Sequence, residues 1–114
     1  MPWRVPQRTV QVMVNPEGVI AAPATLGLET RTESRREAVG LLDGLPEGTG
    51  RLVVDVSLTR LVDSAGLGTL ILIQQHAAGR RQIVRLRGIN EELRLLLVLT
   101  KLEDMFEIED RHSQ

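Results

Sequence analysis

The period of apolar and polar positions changes several times along this chain of 114 residues. Residues 9–15 alternate, with Val10, Val12 and Val14 on one face, the pattern of a half-buried strand. Asn15-Pro16-Glu17-Gly18 has turn composition. Residues 19–26 follow as the return strand of a hairpin, which Pro23 demotes to an edge or bulged strand. Over 32–45 the period becomes helical. Ala38, Leu41, Leu42 and Leu45 share a face, Thr30 or Thr32 stands where a cap belongs, and Gly44 with Pro46 closes the segment. Leu52-Val53-Val54-Asp55-Val56 has almost no polar break, which suits a strand buried on both faces of a parallel sheet.

Leu61-Val62 leads through Asp63-Ser64-Ala65-Gly66 into residues 67–79. Residues 69–73 alone have strand composition, but the unbroken continuation to Ala78 predicts a helix. Leu67, Leu70, Ile71, Gln74 and Ala78 share one face of it, so Leu67, Leu70 and Ile71 are expected to be buried. Residues 82–87 read as another strand, with Ile83, Val84 and Leu86 apolar; Arg85 and Arg87 fall together on a face read as a solvated sheet edge. Asn90-Glu91-Glu92 opens a further helix through Leu93, Leu96 and Leu97, with Asn90 as cap and acidic residues in the first turn. Residues 105–108 read as a last short strand, and the acidic residues around them as a solvated end. Strands alternating with helices after an opening hairpin imply an α/β fold with a mostly parallel sheet. Right-handed crossovers then gather the loops after the strands at one sheet edge, where such folds place their sites. The chain divides into an arm (1–8), one domain (9–110) and a tail (111–114).

Composition narrows the chemistry. A chain of this length, 42% apolar, buries roughly two-thirds of its unfolded surface and needs no staples. It has no cysteine, and His76 and His112 are too few for a His-rich metal site, so no metal and no cofactor are expected. The longest apolar runs, 70–73 and 95–99, fall far short of the ~20 residues that span a bilayer, and residues 1–6 lack the apolar stretch of a signal peptide. The expected address is cytoplasmic, without membrane insertion. A net charge of −1, balanced along both halves, argues against direct nucleic-acid binding. With Trp3 and Phe106 as the aromatics, the composition also argues against base stacking.

The stretch Ser57 to Gly68 follows a buried strand and ends at a helix start. Small residues at 64–66 let another backbone approach, and a helix N-terminus offers unpaired N–H groups and partial positive charge. The same residues also read as a plain helix cap by Asp63 or Ser64. A dinucleotide loop is a poor fit: Gly66-Leu67-Gly68 has Ile71 where the third glycine belongs. A serine-hydrolase elbow fails because Val62 precedes Ser64 at the glycine position, and His76 lies twelve residues on, ~18 Å along the helix. A receiver-type phosphoacceptor at Asp55 would need further carboxylates for Mg²⁺ at the end of the first strand, where Asn15-Pro16-Glu17 stands. Asp55 reads instead as a strand-end, loop-organising carboxylate.

Three separated segments agree in order and spacing with one family. At Leu52-Val53-Val54-Asp55-Val56-Ser57, at Val62-Asp63-Ser64-Ala65-Gly66-Leu67-Gly68 and at residues 99–108 the chain resembles the STAS domain family, whose stand-alone members are bacterial anti-sigma factor antagonists. The resemblance implies a single layer of mixed, mostly parallel sheet with an opening hairpin, packed by helices. It implies a binding module rather than an enzyme, as a monomer or weak homodimer. The implied partner is an anti-sigma factor or serine kinase, whose capture releases a sigma factor. In the family motif Asp-Ser-Ser-Gly-Leu the phosphorylated residue is the second serine; here that position is Ala65, and Ser64 matches the first. Where the family usually has Gly-x-Leu-Asp before its first helix, Gly27-Leu28-Glu29-Thr30 stands. The implied partner surface is Asp63, Ser64, Ala65, Gly66, Leu67 and Gly68, with Ser64 the remaining hydroxyl for phosphorylation. Two alternatives stay open: a STAS accessory subunit of a lipid-transport ABC ATPase, and a response-regulator-like receiver domain.

Overall fold

The computed structural model describes residues 16–109. The arm at 1–8, the alternating strand at 9–15 and the tail at 111–114 lie outside the described residues. In chain order the elements are β1 (Glu17–Ala21), β2 (Thr25–Leu26), α1 (Arg31–Gly44), β3 (Arg51–Asp55), β4 (Leu61–Val62), α2 (Ser64–Gly79), β5 (Ile83–Arg87), α3 (Glu91–Leu99), a 3-10 turn (Glu103–Met105) and β6 (Glu107–Glu109).

β1, β3, β5 and β6 form a four-stranded sheet in that spatial order, and every described pairing is parallel. The stretch expected as one hairpin return strand is instead two strands. β1 starts at Glu17, inside the expected turn, and pairs with β3; the chain then breaks at Pro23, and β2 joins β4 in a separate two-stranded sheet. Proline has no N–H to give a ladder, so the break falls where the sequence marks it, but its result is a second small sheet rather than a bulge. The expected α/β fold, a mostly parallel sheet packed by helices, is the one observed, with β2 and β4 paired beside the main sheet.

Register gives the sheet two unlike faces. Leu52 and Val54 of β3 sit beside Val84 and Leu86 of β5 and join one core with Ala38 and Leu42 of α1, Leu70, Ile73 and Ala77 of α2, and Leu93 and Leu97 of α3. The other face carries ion pairs: Arg85 Nε lies 2.7 Å from Glu107, Arg87 Nε 3.3 Å from Glu109, and Arg51 Nη1 3.4 Å from Glu17. Val53 lies fully buried on that face, in register with Val19 and Arg85, so β3 is indeed covered on both sides. The expected solvated edge is therefore corrected: β5 is an interior strand, and Arg85 and Arg87 belong to a face of ion pairs with β6. The acidic end is likewise part of this face through Glu107 and Glu109. The last strand begins at Glu107, because residues 103–105 take the 3-10 turn.

α2 is helical as predicted, but its buried side is Gly66, Thr69, Leu70, Ile73 and Ala77. Leu67 and Ile71 are half-buried, so the expected face is corrected by about one residue. Apolar residues occupy nearly the whole circumference from Leu67 to Ile73, and periodicity therefore selects no face; packing against α1, β2 and β5 does.

Candidate functional site

At the carboxyl end of β4 the chain turns into α2 around Asp63. Its backbone is extended (φ −91°, ψ −175°), which leaves the carboxylate free to cap the helix. Oδ1 accepts from the Gly66 N–H at 2.9 Å, and Oδ2 accepts from the Leu28 N–H at 3.3 Å. The Asp63 carbonyl accepts from the Leu67 N–H at 2.9 Å, and the Asp63 N–H donates to the Leu26 carbonyl at 3.2 Å. One residue thus starts α2 and ties it to the loop between β2 and α1. These bonds, the Gly66 N–H first, hold the Asp63 carboxyl below its ordinary value of 3.8, against a smaller opposing effect of desolvation.

Two glycines make the clasp fit. A Cβ at Gly66 would collide with the Leu26 carbonyl, and one at Gly27 with the Asp63 carboxylate. Gly66 is buried and serves closure of the turn, whereas Asp63 and Ser64 are exposed and Ala65, Leu67 and Gly68 half-buried. The surface thus comes from 63–65 and 68, with Leu67 reaching back to the core. The Gly66 and Leu67 N–H groups are both taken, so a partner does not find them as open donors.

The remaining candidates lie apart. Asp55 ends β3 and organises its own loop: Oδ1 accepts from the Ser57 N–H at 2.9 Å. Ser57, through its hydroxyl and its N–H, holds that carboxyl below the ordinary value, with Arg87 adding to the effect. Among the described residues no hydrogen bond or ion pair joins Asp55 to the 63–68 turn. His76, at the far end of α2, contacts Asp43 through Nε2 at 2.8 Å. Thr30 caps no helix with its side chain, a correction to the expected role. Its hydroxyl donates to the Thr25 carbonyl at 2.9 Å and accepts from the Gly27 N–H at 3.0 Å, fastening the loop that Asp63 also holds.

Sequence reasoning passed over the exposed leucines of the neighbouring loops. Leu28 and Leu61, beside this turn, are exposed by 62% and 58%, and Leu58 in the β3–β4 loop by 75%. Leu28 is bonded to Asp63 through its backbone, and Leu61 lies two residues before it. The available signal was a single leucine inside an otherwise polar loop, as in Gly27-Leu28-Glu29 and Ser57-Leu58-Thr59-Arg60. Thr59 was missed as well: it is buried and ties the β3–β4 loop to Pro23, its hydroxyl donating to that carbonyl at 2.7 Å. Among the described residues no cluster of three or more potential metal ligands occurs, and no helix is long and apolar enough to cross a membrane.

A clasped helix start beside a small parallel sheet agrees with the comparisons. The family described as "Mlab, STAS domain" matches residues 21–108. The chain belongs to the STAS domain family. A STAS-domain containing protein of Pseudomonas aeruginosa is 34% identical over 58 residues, which are 51% of this chain and 57% of that protein; the match thus spans little more than half of the relative. Among solved structures, the anti-sigma factor antagonist SpoIIAA in its unphosphorylated form superposes with a TM-score of 0.67 at 11% identity, over 87% of this chain and 84% of that one. A Thermotoga maritima protein assigned as an anti-sigma factor antagonist gives 0.69 at 22% identity, over 83% and 81%. A sulfate transporter family protein from Wolinella succinogenes gives 0.62 at 16% identity, over 89% and 84%. At these identities the likeness is one of fold. The receiver-domain alternative is set aside by the family match.

Proposed function

We propose that this chain is a protein-binding module of the anti-sigma factor antagonist type and not an enzyme. It binds an anti-sigma factor of the serine-kinase type through the turn at 63–68 and so releases a sigma factor. The observation that supports this most is the turn itself. Asp63 holds a small, exposed surface in one shape, and Leu28 and Leu61 beside it leave apolar side chains in water. Ala65 stands at the family's phosphoacceptor position, so the surface stays neutral there, and Ser64 is the hydroxyl left for a kinase. A phosphate of −1.5 to −2 charge at this place would disrupt a close apolar contact.

A second reading is an accessory subunit of a lipid-transport ABC ATPase. The matching family carries the Mlab name, and Ser64 stands directly before Ala65-Gly66-Leu67. Pull-down separates the two: one recovers a kinase-like anti-sigma factor, the other an ATPase.

The experiment is calorimetry of wild type and Ala65→Glu against the recovered partner. A carboxylate beside the start of α2 suits the helix dipole, so the variant folds with an unchanged melting temperature. Buried at an interface without a counter-charge, it weakens binding at least about tenfold, or ~1.4 kcal/mol. Equal affinity of two folded proteins moves the interface off this turn.

A further inference from the structure

A groove between α1 and α2 begins at the turn and continues well beyond it. Two adjoining depressions, of about 640 and 830 Å³, run from Ser64 and Ala65 to His76. Arg31, Arg35 and Arg36 of α1 line them, and Leu72 of α2, 48% exposed, lies between. Arg35 and Arg36 form no ion pair among the described residues, and Arg31 acts on Asp63 through its charge without a close ion pair, whereas Arg51, Arg80, Arg85 and Arg87 each meet a carboxylate. Glu33 and Glu37 of the same helix line neither depression. His76 at the far end is held by Asp43 at 2.8 Å, and Asp43 lies 3.7 Å from Arg80.

The fold itself does not account for Gly40 and Gly68, which stand mid-helix on the two walls. A Cβ at either would meet nothing within 4 Å, and glycine within a helix is less stable than alanine. Their effect is to keep the groove open.

We propose that this groove receives an amphipathic helix of the partner protein, its apolar edge on Leu72 and its flanking carboxylates on Arg31, Arg35 and Arg36. The span of α2 from Ser64 to His76 is ~18 Å, room for about three helical turns. Arg35 and Arg36, without ion pairs among the described residues, and Arg31 at the turn end stand beside an exposed leucine and match a helix that carries acidic residues along an apolar stripe. The inference rests on the reading of 63–68 as the partner surface, since Ser64 and Ala65 belong to both, and it adds the chemistry the partner brings.

The test titrates isotopically labelled protein with a synthetic peptide of about 18 residues, a leucine-alanine stripe flanked by glutamate, and with its lysine-flanked twin. The acidic peptide is expected to shift the amide resonances of 31–40 and 64–76, less so as salt rises from about 50 to about 500 mM; the basic twin leaves them in place. Arg35→Glu/Arg36→Glu and, separately, Gly68→Leu weaken the acidic peptide at least about tenfold while thermal unfolding shows both variants folded. No shift in the groove, or equal shifts from both peptides, overturns the proposal. So does binding to phosphatidylglycerol vesicles in place of peptide, or self-association abolished by the arginine reversal, which would make the occupant a lipid surface or a second copy. If Ala65→Glu weakens the recovered partner while the arginine reversal binds it fully, the groove fails and the turn stands. If only the reversal weakens it, the groove stands without the turn.

Discussion

The two ends of α2 use polar side chains in opposite ways. At its C-terminal end Gln82 is buried, and its Nε2 donates to the carbonyls of Leu42, Leu45 and Pro46 at 2.8, 3.0 and 3.2 Å. Arg80 adds a bond to the Leu45 carbonyl at 3.2 Å and an ion pair to Glu47. The Leu42 carbonyl in the last turn of α1 and the Leu45 and Pro46 carbonyls just after it are thus satisfied from inside the fold. At the N-terminal end Asp63 makes two comparable bonds but stays exposed, and the leucines around it face water. One end is sealed and serves stability. The other is held in shape but left uncovered, as the proposed partner surface requires.

Substitutions can break this contrast. The largest effect is expected at Gly66→Val, which places a branched side chain against the Leu26 carbonyl. Either the small sheet or the start of α2 must move, at a cost of about 3 kcal/mol or more, read from denaturant unfolding. Full stability would mean that the clasp is looser than described. Gln82→Ala comes next. It removes one donor from each of the Leu42, Leu45 and Pro46 carbonyls, which keep the Leu45 N–H, Arg80 and the Gly50 N–H respectively, and should cost about 0.5–1.5 kcal/mol with no change in partner binding. A loss of binding with unchanged stability there would erase the distinction between the two ends.

Leu28→Ser and Leu61→Ser should do the reverse. Exposed side chains contribute within about 0.5 kcal/mol to folding, but the double variant should lose partner affinity about tenfold or more by calorimetry. The smallest effect concerns acid. Asp63 and Asp55 both titrate below the ordinary value of 3.8 when folded, so their stabilisation is complete above that value and is lost as pH falls through the lower folded values. Melting temperatures should therefore fall below about pH 4, and Asp63→Asn, which can still accept from Gly66, should flatten part of that decline. An acid limb identical in the variant would show that Asp63 contributes nothing to it.

Much of this was legible in the residues. Asp63 and Asn90 cap α2 and α3 in the positions their spacing indicates, because a cap is a contact between residues three apart. The helical segments and the apolar β3 run appear where the periods change. The small residues at 64–66 mark the turn, although the exposed Leu28 and Leu61 beside it carry no periodic signal.

What the chain determines by itself is thus local: period, caps, breakers, and the order of strand and helix. Tertiary structure decided which side of α2 is buried, since apolar residues cover most of its circumference and neighbouring elements choose among them. It decided that Pro23 divides one stretch between two sheets, because the partners of β1 and β2 lie some thirty-five residues away. It also decided that Gln82, seemingly the first residue of a strand, closes a helix forty positions earlier. Pattern reports on residues within a turn or two of one another. A hydrogen bond or packing contact across the fold depends on where two distant segments come to rest, and no local period encodes that.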